Sequence, residues 1–137
     1  MGTKQSYQEL NIIEHIKSLP EQMDTVRKRF HLLGNQDRLI ISMYFDNKMS
    51  YRQIALLLNT YPNSVSKRIR KIIFELTIGK YIFCMKKRDI FTILEMEIAK
   101  DYFIRGLSIK QIAKKKNTSF YHIREILKEV RHNMNKI

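Results

Sequence analysis

Two stretches of this chain, 58 residues apart, carry matching residues at matching places, and that repetition limits the folds open to it. Ser50, Gln53, Ile54, Ala55, Asn59 and Thr60 recur as Ser108, Gln111, Ile112, Ala113, Asn117 and Thr118, and Val65 and Ile69 recur as Ile123 and Leu127. Upstream, Ile40, Tyr44 and Phe45 recur as Ile98, Tyr102 and Phe103. The matched positions are mostly those a small helical core would bury, so what repeats is a packing unit.

Each unit reads as three helices. In the first, Ser50 followed by Gln53 is a capping box that opens a short helix, with Ile54, Ala55 and Leu58 on its apolar side. Asn59, Thr60 and Tyr61 break the pattern, and Pro62 stands where proline is best tolerated, just inside a new helix. Val65, Ile69, Ile72, Ile73 and Leu76 form the buried stripe of that helix, leaving Asn63, Ser64, Ser66, Lys67, Arg68, Arg70 and Lys71 outward, with Arg68 nearest the flank. A support helix over about 36–45 precedes them and offers Leu39, Ile40, Met43 and Tyr44 to the core. Two helices joined by a short turn, the second presenting an amide, hydroxyls and cations, have the shape that enters a DNA major groove.

The stretch LIISMYFDNKMSYRQIALLLNTYPNSVSKRIRKII resembles region 4 of the sigma-70 family of transcription factors, in which a buried Val stands eleven residues beyond the Ile of an S-x-x-x-I-A helix. Ile54 and Val65 keep that interval, as do Ile112 and Ile123. The resemblance covers residues 36 to 76 and, less fully, 91 to 131. It implies base reading by Pro62, Asn63, Ser64, Ser66 and Lys67 in the first unit, and by Phe120, Tyr121, His122, Arg124 and Glu125 in the second. Nothing in these 137 residues resembles the sigma-factor regions that melt a promoter and grip the polymerase, so the expectation is a small phage, mobile-element or host regulator with tandem modules.

Charge agrees with a polyanionic partner. The net charge is +13, with seven Lys/Arg against six Asp/Glu in residues 1–48, six against one in 49–85, and thirteen against six in 86–137. Positive charge therefore gathers where the repeated units lie, which favours phosphate contact and salt-sensitive association. Lys67, Arg70 and Lys71 are expected at phosphates, and Asn63 and Ser64 at base edges unless they serve as first-turn caps. In the second unit Lys114, Lys115 and Lys116 end the short helix, where they complement its dipole and can meet a phosphate backbone. Ser119 is the expected cap of the next helix. Phe120 and Tyr121 can touch a thymine methyl, stack on a base or cover the first module, while His122 and Arg124 point outward and Lys128 pairs with Glu125 or faces phosphate.

The flanks are less explicit. Ser6 caps an amphipathic segment with Leu10, Ile13 and Ile16, and a second helix over 21–33 carries Met23, Val26, Phe30 and Leu33, stopped by Gly34 in a left-handed conformation. These helices show no counterpart in the second unit; packing on the first module, dimerisation and polymerase binding are the uses weighed for them. Between the units, IIFELTIGKYIFCMKKRDIF is too apolar for a solvent-washed linker, and Tyr81, Ile82, Cys84 and Met85 either fasten the modules together or make a two-fold interface. One cysteine rules out an intramolecular disulfide and gives no zinc signature, so Cys84 reads as a small core residue rather than a redox sensor. No run reaches membrane-spanning length, and no basic-then-apolar leader opens the chain. Met1-Gly2 with Ser6 meets a myristoylation pattern only superficially.

The expected organisation is all-α: an N-terminal helical extension over 1–34, a first helix-turn-helix module over 35–78, an apolar helical connector over 79–90, a second module over 91–132 and a basic tail over 133–137. The expected function is a sequence-specific, cytoplasmic transcription regulator bound to double-stranded DNA, with RNA polymerase and a second copy as further partners considered. The alternative is a protein-interaction adaptor that binds RNA polymerase or another regulator, and a lesser one is a recombinase accessory protein. No nucleophile, base and orienter can be grouped, so no enzyme, cofactor or metal is expected.

Overall fold

In a computed structural model of the protein, which describes residues 19–136, every regular element is helical and no strand occurs among the described residues. Contacts divide the chain between Ile78 and Gly79. The first unit holds α1 (Leu19–Arg29), α2 (Asn35–Ile41), α3 (Tyr51–Leu57) and α4 (Pro62–Thr77). The second holds α5 (Lys80–Lys86), α6 (Ile93–Ala99), α7 (Ile109–Lys115) and α8 (Phe120–Asn135). The segment expected to be capped by Ser6 lies outside the described residues.

Side-chain caps fix where the short helices begin. The Gln53 N–H donates to Ser50 Oγ at 3.1 Å and the Ser50 N–H to Gln53 Oε1 at 2.8 Å, and Ser108 with Gln111 repeats both bonds at 3.1 and 2.8 Å. A third box, Thr92 with Glu95, opens α6. The ends repeat as well. Asn59 and Asn117 both lie at φ 54°, the left-handed region that asparagine tolerates, and the next N–H, of Thr60 or Thr118, reaches back to Ala55 or Ala113 at 2.9 Å. After α2 and α6 the chain widens into one turn closed five residues apart, Asn47 N–H to Ser42 O and Arg105 N–H to Lys100 O, each at 3.1 Å. Each wide turn ends on a left-handed residue, Lys48 at 55° and Gly106 at 68°.

The cores are the repeated positions. Ile98, Ile112, Ala113, Ile123 and Leu127 cluster in the second unit, and Ile40, Ile54, Ala55, Val65 and Ile69 are buried at the matching places in the first. Repetition also extends further than the sequence suggests. The tight turn Phe30–Leu32 recurs as Arg88–Ile90, and buried Val26 and Leu33 recur as buried Cys84 and Phe91, each 58 residues on. The helix expected as an extension and the segment expected as a connector are therefore counterparts, α1 and α5, and the latter lies within the second unit. Residue types do not show this match, since Val26 becomes Cys84, Leu33 becomes Phe91 and Phe30 becomes Arg88, and what the first two pairs share is burial. Their packing differs too, since α1 lies on α4 while α5 lies on α6 and the wide turn after it.

Several local expectations change. The helix expected over 21–33 already includes Leu19, the first described residue, and gives way at Phe30 to the tight turn; Gly34 has φ −73° and ψ 170°, extended rather than left-handed, and is the residue from which α2 starts. Arg38 replaces a glycine stop, donating to the Leu33 carbonyl at 3.0 Å and the His31 carbonyl at 2.8 Å. Gly79, which the sequence offers as a bend in the long helix or an end to it, follows the end of α4 at Thr77 and is the residue from which α5 starts. Within regular α2, Leu39 is 46% exposed and Ile41 buried, and in the wide turn that follows, Phe45 takes the core place expected for Met43, because the wider turn rotates its residues. The tail expected over 133–137 continues α8 as far as Asn135.

Candidate nucleic-acid interface

The long helix of the first unit presents its polar residues as its apolar stripe requires. Val65, Ile69, Ile72, Ile73 and Leu76 are buried, so Pro62, Asn63, Ser64, Lys67, Arg70 and Lys71 are left exposed and Ser66 half-buried. Tyr61 starts α4 with no side-chain cap bond, and neither Asn63 nor Ser64 bonds to the backbone of the first turn among the described residues. Their amide and hydroxyl groups are thus open to a ligand. Of the cations, Arg70 makes one long bond to the Ser66 carbonyl at 3.4 Å, and Lys67 and Lys71 have no carboxylate partner among the described residues.

Arg68 behaves differently. Its Nε donates to Asp37 Oδ1 at 2.8 Å and its Nη2 to Asp37 Oδ2 at 2.7 Å, a two-bond fork across from α4 to α2. Asp37 is 4% exposed. At the far end of α4, Arg29 donates to the Leu76 carbonyl at 2.7 Å and so satisfies one of the helix's terminal acceptors from α1.

In the second unit the three lysines expected at phosphate separate. Lys115 Nζ lies 2.9 and 3.0 Å from the two oxygens of Asp101, a carboxylate 2% exposed that also has Arg105 at 3.7 Å. Lys116 donates to Glu97, and that bond together with the lysine's charge holds the Glu97 carboxyl below the usual carboxylate range. Lys114 stands exposed with no such partner among the described residues. Ser119 accepts from the His122 N–H at 3.1 Å and opens α8, whose first residues Phe120 and Tyr121 are 52% and 67% exposed. His122, Arg124 and Lys128 are also exposed; Lys128 lies 3.5 Å from Glu125, which accepts a long bond from the Tyr121 hydroxyl at 3.4 Å.

Two buried carboxylates and two exposed cations were missed in the sequence. Asp37 and Asp101 do not repeat at 58 residues, since their counterparts are Glu95, used in a cap, and Met43. Arg52 and Lys110 do repeat, both exposed one residue inside the short helix, and that recurrence was the signal available. Cys84 is buried, and burial pushes its thiol from 9.0 up to about 11, so near neutral pH it stays in the unreactive protonated form. Among the described residues no three His, Cys, Asp or Glu gather as a metal ion would need, and no helix is long and apolar enough to cross a membrane.

No protein family, curated protein or solved structure matches this chain.

Proposed function

We propose that the chain is a sequence-specific double-stranded DNA-binding transcription regulator, in which α3 with α4 and α7 with α8 act as helix-turn-helix modules of the kind found in sigma-70 region 4. One observation carries this reading: the same capped short helix, left-handed asparagine turn and long helix occur twice, and each long helix leaves its polar residues exposed. Asn63 and Ser64 meet base edges, with Pro62 and Ser66 beside them, and Lys67, Arg70 and Lys71 meet phosphates. The second module contributes Lys114, Phe120, Tyr121, His122, Arg124 and Lys128; Lys115 and Lys116 contribute less, because their charges are already met by Asp101 and Glu97. The net charge of +13 supports association with a polyanion.

Selection of bound sequences from a random duplex pool, followed by salt titration, tests this. An enriched motif is expected, with log K falling linearly in log salt and each of Lys67→Ala, Arg70→Ala and Lys71→Ala reducing the slope by about one unit. A pool that stays random after repeated rounds, at low salt as well as high, refutes the reading.

A second reading, an adaptor that binds another protein, has its own support. Leu56, Leu57 and Tyr61 are 77%, 65% and 77% exposed, and their counterparts in the second unit are Lys114, Lys115 and Ser119. The fold does not demand apolar residues there. Loss of regulation in a Leu56→Lys, Leu57→Lys variant whose duplex affinity is unchanged would favour the adaptor.

A further inference from the structure

We propose that Asp37 and Arg68 are positioning residues that fix the roll of α4, which makes the first unit the one that discriminates between sequences. This rests on the DNA-binding reading given above.

Apolar packing holds α4 against its neighbours through Val65, Ile69 and Leu76, but such contacts are non-directional and tolerate small rotations about the helix axis. Base reading does not tolerate them. Side chains that recognise a ligand must be held within roughly 0.5 Å and 10–20° of the productive geometry. A planar guanidinium meeting a carboxylate through two parallel bonds is directional, and here both bonds are short, at 2.8 and 2.7 Å. Arg68 lies one turn beyond Ser64, on the edge of the buried stripe, so the fork acts on the half of the helix that carries Asn63 and Ser64. Asp37 is almost fully buried while the Arg68 side chain is 40% exposed. Because its charge is already matched, Arg68 is a poor phosphate ligand although it sits among cations.

The second unit supplies the contrast. Ile126 stands where Arg68 would be, and Glu95 stands where Asp37 would be but is spent on the Thr92 cap. Its buried carboxylate, Asp101, instead ties Lys115 of α7 to the wide turn. One polar tie from α8 to that turn is a 3.5 Å bond from Arg131 to the Tyr102 hydroxyl, two turns beyond the readers. A long helix with exposed aromatics and no fork suits affinity more than discrimination.

Removing Arg68 alone would strand a buried carboxylate and risk unfolding, so the informative variant replaces both partners by apolar residues of similar size, Asp37→Leu with Arg68→Ile. The full-length chain is compared with this double variant and with Arg68→Lys, which keeps the charge but not the fork. The selected duplex and an unrelated one are titrated over a salt range, and helicity and thermal midpoint are recorded. In the double variant helicity, midpoint and salt slope are expected to hold, while the ratio of specific to unrelated affinity falls about tenfold to a hundredfold, the loss of roughly one base contact. Arg68→Lys is expected to fold and to lose part of the same ratio. An unchanged ratio in a folded double variant overturns the positioning role and leaves the DNA reading intact; so does a salt slope that drops with the ratio unchanged, which would make Arg68 a phosphate ligand. Should the double variant unfold, Arg68→Lys decides alone: a full wild-type ratio there overturns the inference. A wild-type chain with no preferred duplex removes the reading and the inference together.

Discussion

Gly106 lies at φ 68°, at the turn where the first unit holds Lys48 at 55°. A side chain at Gly106 would meet nothing within 4 Å, so the cost of adding one is backbone strain alone. Gly106→Ala is expected to destabilise by about 1–2 kcal/mol, the usual penalty for a left-handed residue with a Cβ. Lys48→Gly should be neutral or stabilising for the same reason. Denaturant titration of the two variants checks both signs, and equal effects would show that the turns differ in more than this angle. At the same scale the site was only partly legible. Exposure of Asn63, Ser64, Lys67, Arg70 and Lys71 follows from the helical period once Val65 and Ile69 are placed inside. The commitments of Arg68, Lys115 and Lys116 do not, because their partners Asp37, Asp101 and Glu97 are 31, 14 and 19 residues away and periodicity carries no information across helices.

Among the elements, the short helices were read most accurately, since capping boxes are local and both partners lie within three residues. Thr92 with Glu95 has the same spacing and went unread, although it starts α6 by the same two bonds, at 3.0 and 2.8 Å. What could not be read locally was the wide turn after α2 and α6, where one extra residue per turn changes which side chains face inward: Phe45 is buried and Met43 only half-buried. Nor could α1 be matched to α5. Their likeness lies in the buried places of Val26 and Cys84 and in the tight turn that follows each, and neither leaves a residue-level trace.

Across the whole molecule the two units offer paired experiments. Ile69 and Leu127 occupy matching places, each 1% exposed, in cores built from the same set of positions. Truncating either to Ala should cost about 2–5 kcal/mol, through lost burial and the cavity left behind. Urea titrations of the two variants test whether matching positions carry matching energies; a cost below about 1 kcal/mol for either would mean that its core collapses to fill the gap. The all-α class and the repeated core were legible in the sequence because both depend on periodic apolar residues. That the segment over 79–90 lies within the second unit was not, because its likeness to α1 is one of burial and not of residue type.

The starts of α2 and α6 differ in a way that bears on time rather than energy. Thr92 Oγ1 accepts from the Glu95 N–H in the first turn of α6, whereas α2 starts from Gly34, which has no side chain to accept from the corresponding N–H of Asp37. Asp37 sits in that uncapped first turn, and its carboxylate is turned to Arg68 instead of to the backbone. Any fraying of that turn would carry the carboxylate away from the guanidinium. The amide of Asp37 is expected to exchange with deuterium faster than that of Glu95 and, if the chain binds duplex as proposed, to gain protection in the complex. Equal rates in the free chain would count against it. If the difference is found, the dwell time of α4 in its reading orientation is governed by the breathing of three residues on another helix.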